Sequence, residues 1–318
     1  MSEEDLTPQD HPGRMNAIRL WRLGDPQTLV HEQIQTPRPK QGEVLVRVHA
    51  AAITRDELDW PGDRLPATPS YEFSGIVAEL GAGVDAVTAG QEVFALCGFD
   101  RDGAAAEYVV VQGDVLAPKP AGLSHVESAS LPLAGLSAWQ GLFDHGRLRE
   151  GERVLVHGAA GGVGGLAVQL AHVRGAFVVG TCSRSNVETA RELGADEVID
   201  HTTTRFEEVA GNVDLVFDTV GGDRLDRSIA VLGEGGRLVS VASEPAQEEA
   251  ARLGIEATYF VVEPDRSQLV EIAQLADAGA LRPTIDEVFS LREARRAFER
   301  TLGGNRHGKV VLSVGEEQ

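Results

Sequence analysis

The clearest chemical signal in the chain is a glycine-rich loop between a short apolar segment and a helical one. The apolar segment covers residues 154–157, and the loop runs from Gly158 through the pattern Ala159-x-Gly161-x-x-Gly164. Glycines at these spacings permit a tight turn and let the backbone approach a pyrophosphate, while amides at a helix N-terminus attract its negative charge. The loop therefore predicts a dinucleotide-binding site. The alternative is an ordinary glycine-rich turn, which the strand before it and the helix after it disfavour.

The end of the next predicted strand, about 20 residues further on, distinguishes NAD from NADP. An NAD site places Asp or Glu there to bind the ribose 2′-hydroxyl, whereas this chain has Ser183 and Arg184 and no acid. Ser183 can donate a hydrogen bond and Arg184 can pair with a 2′-phosphate, so we expect NADPH. His201, at the end of the following strand, is placed to reach the adenosine ribose or its phosphate. Alternatively, Arg184 is a solvated residue at a helix start and His201 is structural.

Two later predicted strands end in small or glycine-rich residues. Val220 is followed by Gly221 and Gly222, and Ala242 is followed by Ser243. Ligands of doubly wound sheets lie outside the carboxyl ends of the strands. We therefore expect these two turns to border the ribose and nicotinamide, unless they are plain connections between strands and helices.

Around these residues the chain shows two patterns of secondary structure. In its first third, short strands alternate with Pro and Gly turns, which predicts a small barrel-like β domain. These strands cover residues 17–22, 43–50, 75–80, 92–96 and 107–112. From Ser124, which forms a capping-box pattern with Glu127, strands and helices alternate, which predicts a parallel sheet covered on both faces. The last strand, residues 309–314, has no helix after it, and we expect it to return to the first domain.

Composition limits the class of protein. The chain has 318 residues, 42% of them hydrophobic, and a formal net charge of −20, which fits a globular protein of about two domains. The charge disfavours nucleic acid and anionic membranes as partners, and no apolar run approaches the ~18–20 residues of a membrane span. Two cysteines alone form neither a disulfide framework nor a thiolate zinc site. Because the acidic start is also unlike a signal peptide, we expect a cytoplasmic location.

Several stretches, in this order along the chain, carry a resemblance to a known family. They are residues 71–75 (YEFSG), 102–109 (DGAAAEYV), 131–139 (LPLAGLSAW), 154–164 (VLVHGAAGGVG), 193–200 (LGADEVID) and 308–312 (GKVVL). The sequence resembles the medium-chain dehydrogenase/reductase superfamily, in its zinc-free, quinone oxidoreductase-like branch (the zeta-crystallin group). The resemblance covers nearly the whole chain.

The resemblance implies an α/β architecture in which one domain is inserted into another. A GroES-like β-barrel catalytic domain would comprise residues 15–122 and 283–318. A Rossmann domain with a doubly wound parallel sheet, residues 123–282, would bind NADPH in the cleft between the domains. Separately from the resemblance, the acidic and polar character of residues 1–14 predicts a disordered tail. The family also implies a homodimer.

The resemblance further implies roles for individual residues. The pyrophosphate would be contacted by Ala160, Gly161, Gly162 and Val163. The 2′-phosphate would be surrounded by Ser183, Arg184 and His201. The nicotinamide half would lie near Val220, Ala242, Phe260, Val261 and Val262. In the segment under the nicotinamide, Ser137 stands where the family usually has threonine.

Zinc-dependent members of the superfamily place a cysteine after an early strand and a His-Glu pair further on. Here Thr54 lies in the segment that corresponds to the cysteine, which is missing, and Tyr71 stands in place of the histidine before Glu72. The four-cysteine structural zinc lobe is absent as well. A catalytic zinc needs three protein ligands of N, S or O type, and no other group of His, Cys and Asp has ligand spacing. We therefore expect no metal.

Without a Lewis acid, alcohol oxidation loses its means of stabilising an alkoxide. We therefore expect hydride transfer from NADPH to quinones or similar electrophilic carbonyl compounds, with Thr54, Trp60 and Tyr71 in loops that face the substrate. Trp60 and Tyr71 fit the wall of an apolar pocket better than a proton-donor role. The alternatives are a reductase of alkenals, enones or enoyl thioesters, or a cofactor-binding redox sensor without efficient turnover. Cys182 would be reactive only if its pKa were lowered.

Overall fold

The computed structural model describes residues 12–303 and 307–315. The strands are β1 (Arg14–Leu20), β2 (Leu29–Gln35), β3 (Glu43–Ile53), β4 (Glu72–Leu80), β5 (Glu92–Leu96), β6 (Tyr108–Gln112), β7 (Ala117–Pro118), β8 (Arg153–His157), β9 (Phe177–Cys182), β10 (Glu197–Asp200), β11 (Val213–Asp218), β12 (Leu232–Ser240), β13 (Glu256–Tyr259), β14 (Ile285–Ser290) and β15 (Lys309–Ser313). The α-helices are α1 (His125–Ala129), α2 (Pro132–Trp139), α3 (Gly162–Val173), α4 (Val187–Glu192), α5 (Phe206–Val209), α6 (Asp223–Arg227), α7 (Gln247–Arg252), α8 (Arg266–Asp277) and α9 (Ala294–Leu302). A π-helical turn, Gln140–His145, follows α2.

The second half of the chain forms a six-stranded parallel sheet in the order β10-β9-β8-β11-β12-β13. The strand order reverses between β8 and β11, as in doubly wound dinucleotide-binding sheets. Successive residues of β8 point to opposite faces. Val154 and Val156 join a core shared with the N-terminal domain, and Leu155 joins a second core with Phe206 and Leu225. The predicted Rossmann sheet is confirmed.

The first third and the C-terminal end form a mixed, mostly antiparallel sheet in the order β14-β15-β3-β4-β5-β7. β3 pairs with β4 on one side and with β6 and then β15 on the other. β3 therefore connects the two sides of this seven-stranded sheet, which forms the GroES-like domain that the sequence predicts. The final strand lies between β14 and β3, so the chain ends in the domain where it began.

The two domains meet where the chain enters β15. Gly308 forms a β-bridge with Gly161 of the glycine loop. Gly308 has φ +84°, and a Cβ there would lie 1.9 Å from the Thr284 carbonyl oxygen, so only glycine fits. The C-terminal segment is thereby held against the loop predicted to bind a dinucleotide.

Some sequence predictions need correction. The predicted tail is too long, because the carbonyls of Pro12 and Gly13 accept hydrogen bonds from Thr36 and Arg14 already pairs with Gln35 in the β1–β2 hairpin. Residues 1–11 lie outside the described residues. Four strands, β2, β7, β13 and β14, were not predicted. Within the described ranges, no helix combines the length and apolar character needed to span a membrane.

Candidate active site

The glycine loop has the geometry that a pyrophosphate requires. Gly158 adopts φ +75°, and its amide and that of Ala159 both donate to the Thr181 carbonyl (3.1 and 3.0 Å). Gly161 then donates to the Gly158 carbonyl (2.8 Å) and forms the N-cap of α3. The first amides of a helix have no acceptor within it, so those of Gly162 and its successors are available to an anion.

Close packing of α3 against β8 depends on Gly164. A Cβ at this position would lie 2.1 Å from the Gly158 carbonyl oxygen, so the helix can approach the strand only with glycine there. Ala160 is buried, whereas Gly161, Gly162 and Val163 are partly exposed. The loop therefore presents exposed backbone at the helix start, and it fits the diphosphate of a dinucleotide.

Three residues predicted to bind a 2′-phosphate lie at one edge of the parallel sheet. Ser183 and Arg184 follow β9, His201 follows β10, and the His201 amide donates to the Cys182 carbonyl (3.1 Å). Arg184 is exposed and makes no ion pair with any described residue. The pKa of Asp200 nearby is lowered, mainly by hydrogen bonds from Thr202, with a smaller effect of the Arg184 charge.

Sequence reasoning missed Arg224, which also belongs to this edge. Its Nη2 lies 3.3 Å from His201 Nδ1, and the two residues line a cavity of about 220 Å³ together with Arg227. Arg227 pairs with Glu207, whereas Arg224 has no carboxylate partner among residues 12–303 and 307–315. Burial, and then the Arg224 charge, lower the pKa of His201, which favours neutral imidazole. The sequence signal that could have identified Arg224 is a basic residue shortly after the Gly221-Gly222 turn.

The two turns predicted to border the ribose and nicotinamide are tied together by Asp218 and Ser240. Asp218 is buried, accepts from the amides of Val220 (3.2 Å) and Gly221 (2.9 Å), and accepts from the Ser240 hydroxyl (2.9 Å). Ser240 Oγ in turn accepts from the Ala242 amide (3.1 Å). Val220 is 44% exposed and Ala242 is also exposed. Both turns are therefore rigid and open to solvent.

The other residues assigned to the nicotinamide half differ in accessibility. Phe260 is buried with its ring 4.4 Å from that of His145, and Val262 is buried too, whereas Val261 is 59% exposed. Ser137 lies in α2 and is buried. Contacts of these four residues with a cofactor stay predictions.

Thr54 belongs to a buried polar network at the domain junction. Its hydroxyl accepts a hydrogen bond from Lys309 Nζ (2.9 Å), and Lys309 also forms an ion pair with Glu72. The second oxygen of Glu72 accepts from the Leu133 amide (2.8 Å).

A second buried carboxylate, Glu57, lies beside this network. It accepts hydrogen bonds from the backbone amides of Thr54 (3.0 Å) and Ser70 (3.0 Å). Burial raises the pKa of Glu57 to about 8.

Sequence reasoning did not assign Glu57 or Lys309 a role. Lys309 lies inside the GKVVL stretch used for the family resemblance, and Glu57 lies three residues after Thr54. The contacts of Lys309 with Thr54 and Glu72 join opposite ends of the chain, which no local pattern shows.

Trp60 and Tyr71 form an aromatic cluster with Phe99, which was not predicted. The three ring centroids are 5.1–5.6 Å apart. Tyr71 is completely buried, and its hydroxyl makes no hydrogen bond of normal geometry with a described residue. Burial raises the pKa of the phenol, and Arg64 partly opposes the shift. The buried Tyr71 therefore supports Trp60 and Phe99, which are partly exposed, and does not itself line an open pocket or donate a proton there.

Neither cysteine has the character of a reactive thiol. Burial raises the pKa of Cys182 to about 11 and that of Cys97 to about 12. Among the described residues, no group of three or more His, Cys, Asp and Glu side chains is placed to hold a metal ion.

Comparison with known proteins gives matches along most of the chain. A family model described as alcohol dehydrogenase GroES-like domain matches residues 40–121, and one described as zinc-binding dehydrogenase matches residues 193–312. The mitochondrial NAD(P)H oxidoreductase RTN4IP1 of Danio rerio is 30% identical over 327 residues, covering 87% of this chain and 84% of the relative. The chloroplastic NADPH-dependent alkenal/one oxidoreductase of Arabidopsis thaliana is 31% identical, covering 89% and 75%.

Among solved structures, the quinone oxidoreductase from Coxiella burnetii matches with a TM-score of 0.90 at 34% identity, covering 95% of this chain and all of that one. Fold and site together define a two-domain oxidoreductase with a dinucleotide-type glycine loop. The relatives are similar enough over enough of their length to show that the chain belongs to the medium-chain dehydrogenase/reductase family, in its quinone oxidoreductase-like branch.

Proposed function

We propose that this protein is an NADPH-dependent, zinc-independent reductase of quinones or similar electrophilic carbonyl compounds. The observation that carries the proposal is the junction of Gly308 and Lys309 with the glycine loop. It brings the loop for the dinucleotide next to Thr54, which has a hydroxyl and a partly exposed position. Cofactor and acceptor would therefore meet at this junction.

The preference for NADPH follows from the charges at the edge of the sheet. Arg184 and Arg224 lack carboxylate partners among the residues described, and His201, whose Nδ1 contacts Arg224, keeps a ring N–H in its neutral form. A 2′-phosphate would satisfy both guanidinium groups, whereas the 2′-hydroxyl of NADH would leave them without an anion. The name of the Arabidopsis relative also includes NADPH.

Zinc independence follows from the state of Glu72. Its carboxylate is already neutralised by Lys309, and its second oxygen is taken by the Leu133 amide. An ammonium beside this carboxylate repels a divalent cation, and neither Thr54 nor Tyr71 supplies a good zinc ligand. The family description that mentions zinc covers residues 193–312 and so excludes these three positions.

The reduction of an electrophile depends more on how the protein positions cofactor and acceptor than on a proton donor in the protein. A bound reduced nicotinamide supplies the hydride. Trp60 and Phe99, which are partly exposed and pack on the buried Tyr71, offer an apolar wall for a flat acceptor and restrict water. The Thr54 hydroxyl offers a hydrogen bond to the carbonyl oxygen of the acceptor. Solvent can supply the proton.

A reductase of alkenals, enones or enoyl thioesters is the second candidate, because the same wall and hydroxyl suit an α,β-unsaturated carbonyl and one relative is named for alkenal/one reduction. Initial rates of NADPH oxidation over a panel of quinones and alkenals separate the two classes by kcat/KM. Turnover of neither class would contradict both. Cofactor binding without turnover would indicate the redox sensor.

Titration with NADPH and NADH tests the cofactor assignment. Arg184→Ala and Arg224→Ala should each weaken NADPH binding by roughly 10-fold, since a hydrogen bond to a charged group is worth about 1.5–3 kcal/mol, and should leave NADH binding unchanged. Arg191→Ala, which changes an exposed cation paired within α4, is the control. Equal loss of both cofactors would contradict a 2′-phosphate role.

We further propose a homodimer in the cytoplasm. β13 is an edge strand of the parallel sheet, and Tyr259 and Val261 at its end are exposed, which leaves a strand edge and apolar surface for a second copy. Light scattering after size-exclusion chromatography tests this, and a monomer at micromolar concentration would contradict it.

A further inference from the structure

The polar network at the domain junction leaves one hydroxyl proton without an acceptor. Lys309 Nζ carries only donors, so in its 2.9 Å contact with Thr54 the hydroxyl oxygen must accept. Thr54 Oγ1 makes no further hydrogen bond to a described residue, so its own proton remains free to donate. Thr54 is partly exposed, whereas Lys309 is buried. The free proton is therefore on the more exposed member of this pair.

The hydroxyl is fixed in place from several sides. The Thr54 amide donates to Glu57, and Glu72 holds the ammonium of Lys309 through their ion pair. The alkyl chain of Lys309 packs on the start of α3, because a Cβ at Gly162 would lie 2.8 Å from Lys309 Cδ. Thr54 thus lies one lysine side chain away from the glycine loop, and both domains determine its position.

We propose that Lys309 is a positioning residue that polarises Thr54 and directs its hydroxyl proton toward the carbonyl oxygen of the acceptor. The inference rests on the proposed function. When hydride adds to a quinone or to the β-carbon of an enone, the displaced π electron pair moves to the carbonyl oxygen. Thr54 donates a hydrogen bond to this oxygen without giving up its proton, and solvent later protonates the oxygen. A donor that itself accepts from an ammonium is strengthened.

Variants at position 54 test the hydroxyl. Thr54→Val keeps the shape and removes the donor, so kcat should fall about 100-fold with NADPH affinity unchanged, as for loss of one oxyanion donor. Thr54→Ser restores the hydroxyl and should recover most of the rate. Wild-type kcat in Thr54→Val overturns this proposal but leaves the proposed function standing. Absence of turnover in the wild type overturns both.

A double-mutant cycle tests whether Lys309 acts through Thr54. Because Lys309→Met alone would leave Glu72 charged and unpaired in the interior, the variant used is Lys309→Met with Glu72→Gln, which removes both charges. If Lys309 acts only through Thr54, the factors by which this double variant and Thr54→Val lower kcat should not multiply. The variant with all three substitutions should then be no slower than Thr54→Val. Losses of kcat that multiply, or weaker NADPH binding by the double variant with unchanged kcat, would contradict the claim that Lys309 acts through Thr54.

Discussion

At the residue scale, the junction buries charged groups that differ in how they are compensated. Glu72 has an ammonium partner, while Glu57 is held by two backbone amides and has no direct cation. Burial therefore dominates and raises the pKa of Glu57 to about 8 from 4.5, although Lys309 opposes the shift. Folding thus takes up a proton at this carboxylate near neutral pH.

This uptake makes stability depend on pH. Between pH 4.5 and 8 the unfolded chain releases the Glu57 proton and the folded chain retains it, so the free energy of unfolding should fall as pH rises through this window, by about 1.4 kcal/mol per unit at most. Glu57→Gln should flatten the decline in urea melts at pH 5.5, 7 and 8. Glu234→Gln, at an exposed carboxylate, should not. Parallel curves for wild type and Glu57→Gln would show that Glu57 titrates normally.

At the element scale, the close approach of α3 to β8 at Gly164 should affect both stability and the proposed cofactor binding. Gly164→Ala places a methyl 2.1 Å from a fixed carbonyl and should cost roughly 1–3 kcal/mol as overpacking while weakening NADPH binding. A Cβ at Gly165 would meet the end of the Leu193 side chain at 3.2 Å and the backbone only at 3.7 Å or more. Gly165→Ala should therefore be neutral or gain up to about 1 kcal/mol of helix propensity. Thermal melts and NADPH titrations compare the two. Equal effects at both positions would contradict the packing explanation.

Local patterns predicted the elements whose residues alternate regularly or carry a specific signal. β5 has the predicted bounds, β8 contains the predicted apolar segment 154–157, and the Ser124–Glu127 capping box is present. β13 and β14 were missed because they are edge strands with mainly partly exposed residues, which gives no clear period. The glycine loop could be predicted because its function depends on consecutive residues. The contacts of Lys309 and Arg224 could not, because they depend on tertiary packing.

At the scale of the whole molecule, a net charge of −20 opposes compaction and repels an anionic cofactor. Local cations and helix amides must therefore outweigh the overall field. Raising NaCl from 10 mM to 500 mM at pH 7.5 should increase the melting temperature by several degrees, because screening reduces the repulsion among acidic groups. The increase should shrink near pH 5, close to the isoelectric point of about 4.8. A salt effect of equal size at both pH values would contradict this explanation.

The most direct test of the central claim is NADPH oxidation by the protein after exhaustive treatment with a chelator, using one quinone and one alkenal as acceptors. If Lys309 neutralises Glu72 as the proposed function requires, reduction at this junction should need no metal. We expect turnover of at least one acceptor, unchanged when zinc is restored. Loss of activity on chelation with recovery on adding zinc, or zinc-stimulated alcohol oxidation in its place, would contradict the account.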